Sequence, residues 1–154
     1  MSCSGRNLLV NGGFAGLAPW KGKKIRLVPN PVKRKDTSVR IGKRGFLYQN
    51  VSGSFEHQCA YYLYFRIFNK HSSPPQPQLY AVVSWLDEGK RLLRSTPLLV
   101  EPAHPAEPRF TSYFTIVPPP PVGTRILSVV FLVKKAPLLV DYISVLSKDV
   151  LPST

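Results

Sequence analysis

The sequence predicts an all-β fold, an antiparallel β-sandwich, on three observations. Apolar and aromatic residues come in runs of about five to ten, bounded by Pro, Gly, Asn or Ser, which is the pattern of short strands. Helical periodicity is almost absent. Sixteen prolines and ten glycines are scattered through the 154 residues, a density that a helical bundle would not tolerate. A chain of this length is one domain's worth and buries about 70% of the surface it exposes when unfolded, enough for a single core.

Taken in order, strands are expected at 7–10, 24–28, 37–41, 45–52, 58–68, 78–86, 91–99, 109–117, 124–133 and 138–147. The clearest is 60–68, where Leu63, Phe65 and Ile67 alternate with Tyr62, Tyr64 and Arg66. One face of that strand is apolar and the other carries polar tips, so it is half-buried. In 125–133, Leu127, Val129, Phe131 and Val133 alternate with Ile126, Ser128, Val130 and Leu132. With few polar positions on either side, this strand belongs at the centre of a sheet. The segment Asp87-Glu88-Gly89-Lys90 reads as a tight hairpin turn. The proline-rich stretches 71–78, 101–108 and 118–123 are loops, because proline removes a ladder donor.

No repeat, heptad or low-complexity tail argues for a second domain. The expected organisation is a flexible N-terminus at 1–6, one sandwich over 7–148 and a tail at 149–154. The two cysteines, Cys3 and Cys59, form no CxxC pair or zinc set, and two free thiols are expected because Cys3 sits near the chain's start. The opening MSCSGRNLLVNGGF lacks the apolar core of a secretory signal, which suggests that the protein stays in the cytoplasm that made it or reaches a surface by another route. The longest apolar runs fall far short of the ~20 residues of a membrane-spanning helix, so no membrane insertion is expected.

Catalytic signatures are missing. His57, His71 and His104 are dispersed, the eight carboxylates show no paired spacing, and no nucleotide, nucleophile-elbow or zinc-protease motif occurs. A non-enzyme with no cofactor is expected. Charge is the strongest compositional feature, at +13. Residues 21–44 carry Lys21, Lys23, Lys24, Arg26, Lys33, Arg34, Lys35, Arg40, Lys43 and Arg44 against Asp36 alone, so +9 lies in 24 residues. Such a segment is a candidate anion patch for phosphate, sulfated glycan or an acidic partner, or a solvated strand edge that discourages pairing. No recognition helix or RNA-binding aromatic motif accompanies it, so no specific nucleic-acid readout is expected. Tyr62, Tyr64 and Arg66, joined by Tyr80, Trp85 and Tyr113 from other strands, are candidates for a sugar platform, since a flat ring stacks on the apolar face of a pyranose. The competing reading packs these rings in the sandwich. Trp20 plugs one end of the core.

Asn7-Leu8-Leu9-Val10-Asn11-Gly12-Gly13-Phe14, followed by Trp20, resembles the opening of galactose-binding-like jelly-roll domains, including many carbohydrate-binding modules. Leu139-Val140-Asp141-Tyr142-Ile143-Ser144-Val145 resembles their closing strand. Between them, 46–51, 80–87 and 118–123 are similar to one branch, the head domain that precedes collagen-like repeats in spore-forming bacteria. The likeness runs in order from residue 7 to 147. It implies a jelly roll that binds a glycan or surface polymer without catalysis, or a structural, self-assembling element that forms a homo-oligomer.

In calcium-containing members, the acidic residue after GGF and the Asp of the last strand help hold a structural ion. Here the first position is Ala15. The resemblance therefore implies structural roles for Asn11, Phe14, Trp20 and Asp141, with at most a degenerate calcium site at Asp141. Asp141 is expected to point inward and accept backbone N–H groups of the 11–14 turn.

Overall fold

The computed structural model describes residues 3–150; eight strands form and, among the described residues, no helix. The strands are β1 (Lys21–Pro29), β2 (Thr37–Ser52), β3 (Cys59–Phe68), β4 (Gln78–Leu86), β5 (Leu92–Val100), β6 (Thr111–Val117), β7 (Ile126–Lys134) and β8 (Leu138–Asp149). Every pairing is antiparallel. Residues 1, 2 and 151–154, which include most of the expected tail, lie outside the described residues.

The long strand β2 joins the two layers. Residues 39–41 pair with β8, while residues 46–52 pair with β7. One layer therefore runs β6-β3-β8-β2 and the other β5-β4-β7-β2, closed over one core as a jelly-roll sandwich. The gap expected between 37–41 and 45–52 is instead a kink within one strand. β1 follows β2 through it with a register shift between Lys23 and Ile25. Lys24 and Arg44 take left-handed φ values of 58° and 63° there. A Cβ at Gly45 would lie 2.8 Å from the Gly42 carbonyl oxygen and 2.9 Å from that of Lys23, so only glycine lets the strands stay paired at this bend.

Alternation fills the core as the pattern requires. Leu63, Phe65 and Ile67 of β3 face Val129, Phe131 and Val133 of β7, all buried, and the Phe65 and Phe131 rings meet edge to face at 4.9 Å. As expected, β7 is central, between β4 and β2. The Asp87–Lys90 turn closes the β4–β5 hairpin, with the Arg91 amide donating to Asp87 Oδ1 at 2.8 Å. Phe14 and Trp20, 5.2 Å apart, pack one end of the core.

Two expectations for the N-terminus are corrected. Residues 7–10 form no strand; side chains make the contacts a ladder would. Asn7 Oδ1 accepts from the Val145 amide at 3.0 Å while Nδ2 donates to the Ile143 carbonyl at 3.1 Å. Gln49 accepts from the Val10 amide at 2.7 Å and donates to its carbonyl at 2.8 Å. The expected free thiols are a disulfide, Cys3–Cys59. The Gly5 amide donates to the Ser147 carbonyl at 3.1 Å and the Ser4 amide to Ser147 Oγ at 3.0 Å, so residues 3–5 run along β8. Cys59 opens β3 beside β8, and following β8 brings Cys3 to it.

Candidate functional site

The six candidate sugar contacts go to three places. Trp85 is 0% exposed, held between Phe55 at 5.4 Å and Tyr61 at 5.0 Å, with Nε1 donating to the Pro118 carbonyl at 3.0 Å. It is a core residue with no face left for a ligand, because its position on β4 has inward parity. Tyr113 also turns inward, stacking on Phe65 at 5.6 Å, and burial pushes its hydroxyl pKa up. Tyr62, Tyr64 and Arg66 share the outer face of the β6-β3-β8 layer. There they meet Phe114, Ile116 and Tyr142, which sequence reasoning left out. Phe114 and Ile116 are 63% and 60% exposed. Tyr80 lies on the outer face of the other layer, across the core from them.

That second face has a regular layout. Cross-strand partners share a side of a sheet, so the register groups its outward residues into rows about 7 Å apart, two residues along each strand. The first row is Asn50, Ser128, Ser84 and Ser95; the next is Tyr48, Val130, Val82 and Pro97; the third is Phe46, Leu132, Tyr80 and Leu99. Phe46 and Tyr48 stack at 6.2 Å, and Lys134 Nζ sits over the Tyr80 ring at 5.2 Å. Lys21 and Lys23 of β1 border the aromatic pair, opposite Tyr48 and Phe46. A cleft closes each end. One, of about 480 Å³, is lined by Lys43, Arg44, Pro75, Leu132, Lys134 and Lys135. The other, of about 390 Å³, is lined by Ser52, Gly53, Ser54, Glu88, Arg125 and Ile126. The outer surface of β7, termed the trough, runs between these two clefts. The alternation Phe46, Tyr48, Asn50 was available in the sequence as a signal; the row that joins it to Tyr80 depends on pairing register, which was not.

The overall fold is one already seen in solved proteins. No protein-family model matches the chain, and no curated protein does. Among solved structures, a family 61 carbohydrate-binding module in complex with β-1,4-galactotriose superposes with a TM-score of 0.65 at 17% identity, over 93% of this chain and 99% of that one. The chain has the jelly-roll fold of carbohydrate-binding modules. A family 22 xylan-binding domain from Paenibacillus barcinonensis gives a TM-score of 0.64 at 9% identity, over 98% and 100% of the two chains. The enzymatically active domain of tailspike protein 4 from bacteriophage CBA120 gives 0.68 at 17% identity, over 92% of this chain but 21% of that one. At these identities, what is shared is the fold.

The ten cations of 21–44 also separate. Lys21, Lys23, Lys43 and Arg44 border the trough, and Lys24 Nζ donates to the Lys43 carbonyl at 3.4 Å. Arg26 and Arg40 are cross-strand partners on the other layer. Lys33, Arg34 and Lys35 lie in the β1–β2 turn, where Lys33 pairs with Asp36 at 3.5 Å.

That turn borders a third cleft, of about 470 Å³, lined in part by Asn11, Ala15, Asn30, Arg66 and Asp141. The expected partners of Asp141 are corrected here. Its Oδ1 accepts from Arg66 Nε at 2.9 Å and its Oδ2 from Asn30 Nδ2 at 3.3 Å. The cause is a bulge: Ile67 pairs with Val140 and Arg66 with Tyr142, which leaves Asp141 out of the ladder. The 11–14 turn is braced instead by Asn11, whose Oδ1 accepts from the Ala15 amide at 2.9 Å and whose Nδ2 donates to the Gly16 and Ala18 carbonyls at 2.8 and 2.9 Å. Trp20 Nε1 donates to the Asn11 carbonyl at 2.9 Å. These residues do not fit a calcium ion. Six to eight oxygens are needed, Ala15 offers no side-chain oxygen, and both Asp141 oxygens are engaged, one by a guanidinium. Among the described residues, no group of three or more His, Cys, Asp or Glu could hold a metal.

Proposed function

We propose that this domain is a non-catalytic carbohydrate-binding module whose ligand lies in the trough on the outer face of the β5-β4-β7-β2 layer. The observation that carries the reading is the row structure of that face: a hydroxyl-rich row, Asn50–Ser128–Ser84–Ser95, beside two rows holding Tyr48, Phe46 and Tyr80. Sugars need both elements, flat apolar surface for their C–H faces and polar groups at fixed spacing for their hydroxyls. The shared fold supports the reading, since the neighbours include a module solved with galactotriose and a xylan-binding domain. The disulfide supports a setting outside reducing cytoplasm, because such bonds persist in oxidising surroundings.

The test is retention on polysaccharide affinity gels in about 0.5 M NaCl, where Debye lengths fall to a few Å and stacking is little affected. Tyr48→Ala combined with Tyr80→Ala abolishes retention, whereas Tyr62→Ala combined with Tyr64→Ala preserves it. The opposite result would move the site to the β6-β3-β8 face.

A further inference from the structure

We infer that the ligand is an acidic polysaccharide, whose carboxylate or sulfate groups are held at the Lys43–Lys135 end of the trough. This deepens the carbohydrate-binding reading and rests on it. Four cations from two parts of the chain converge on the cleft there, Lys43 and Arg44 from the kink in β2 and Lys134 and Lys135 from the end of β7 and the turn after it. The residues lining that cleft include no carboxylate, and among the described residues no ion pair involves any of the four. Glu101, past the far edge strand β5, accepts from Gln78 Nε2 at 2.7 Å.

Edge protection does not explain these charges. Lysines that discourage sheet-to-sheet pairing belong on edge strands, and Lys21 and Lys23 on β1 fit that role. Lys43 and Arg44, however, sit in the kink of β2 between its two paired stretches, Lys134 is the last residue of β7 and pairs with Gln78 of β4, and Lys135 lies in the turn that follows, so none of the four stands on an edge strand. Arg44 and Lys135 also adopt φ values of 63° and 75°, a conformation in which glycine would be less strained. The same cleft holds Leu132 and Pro75, so the cations surround an apolar floor. A sugar ring that bears a negative group fits both parts: its C–H face meets the floor, and the charged oxygens meet lysine ammonium groups and the forked guanidinium of Arg44.

The test compares two triple variants with equal loss of charge: Lys43→Glu/Arg44→Glu/Lys135→Glu at the cleft and Lys33→Glu/Arg34→Glu/Lys35→Glu at the β1–β2 turn. Each is titrated with polygalacturonate (carboxylate), dextran sulfate (sulfate ester) and neutral galactan at about 0.15 M salt. Thermal melts establish that both fold, and the single Lys135→Glu change serves if the cleft triple does not. The wild type favours one or both acidic polymers over galactan; the cleft triple loses at least roughly tenfold in affinity for them and the turn triple less than about twofold. Equal losses in the two triples would mean that affinity follows net charge, overturning the inference. Galactan binding as tight as that of the acidic polymers and untouched by the cleft triple would also overturn it, while leaving the carbohydrate-binding reading intact. Failure of every glycan to bind would remove both. Duplex DNA bound more tightly than the acidic glycans through the same cleft residues would replace a glycan ligand with nucleic acid.

Discussion

Asp141 and Arg66 balance each other at the cleft near the N-terminal turn, with the Asp141 side chain 10% exposed and that of Arg66 36%. Removing the carboxylate leaves a guanidinium and the Asn30 amide without their acceptor. Breaking a fully buried pair costs about 3–5 kcal/mol; with one partner a third exposed, about 1–3 kcal/mol is expected. Asp141→Ala should therefore lower the melting temperature by roughly 5–10 °C in circular-dichroism melts. Because arginine rather than a metal supplies the positive charge, EDTA should leave the wild-type melt unchanged, and a drop with EDTA would contradict that assignment. A second residue gives a pH signature. Tyr61, inside the core, donates to the Glu56 carbonyl at 2.8 Å, and burial, followed by the Glu56 carboxylate, pushes its pKa up to about 12. The unfolded tyrosine ionises first, near 10, so this residue's contribution is fully present below that pH and is lost as pH rises toward 12. Urea unfolding across that range should show a steeper fall in stability for the wild type than for Tyr61→Phe. Matching slopes would contradict this account of Tyr61.

At the scale of elements, the Cys3–Cys59 bond ties the N-terminal strap to β3 across 56 residues of sequence. Cross-linking a loop of that length restricts the unfolded chain by up to about 4 kcal/mol. Cys59→Ser, or reduction, should lower the melting temperature by roughly 10 °C; a melt insensitive to reductant would show that the side-chain clamps of Asn7 and Gln49 suffice without it. Most strands were legible because their alternation is strong, as in β3 and β7, and because proline-rich loops separate them. Three features were not. Gly42 through Gly45 carries the composition of a turn, yet the backbone only kinks there and pairing with β1 resumes at Phe46. Asn7 through Val10 has the apolar run of a strand, yet is held by the Asn7 and Gln49 side chains. Cys3 and Cys59 show no spacing that signals a bond. Each depends on a contact between segments distant in sequence.

For the whole molecule, the jelly roll was legible from the terminal motifs and the strand spacing, while the site was legible only in its residue types. The proposed site draws on the tyrosines and lysines that the sequence singles out, in a different grouping. Their grouping follows from register: it sends Tyr62 and Tyr64 to one face, Tyr80 to the other and Trp85 into the core. It also gathers Lys134 and Lys135 from outside the basic segment to stand with Lys43 and Arg44. The charge that dominates the composition is therefore divided by the fold, and its largest part borders the trough. Everything proposed for this protein turns on the trough, rather than the opposite face, holding sugar. Amide chemical-shift mapping of the ¹⁵N-labelled protein with galactotriose and with an oligogalacturonide tests it most directly. Binding in the trough gives shifts clustered at 46–50, 80–84 and 128–135, larger with the acidic ligand. Shifts confined to 62–66, 112–116 and 142–148, or none with either ligand, would contradict it.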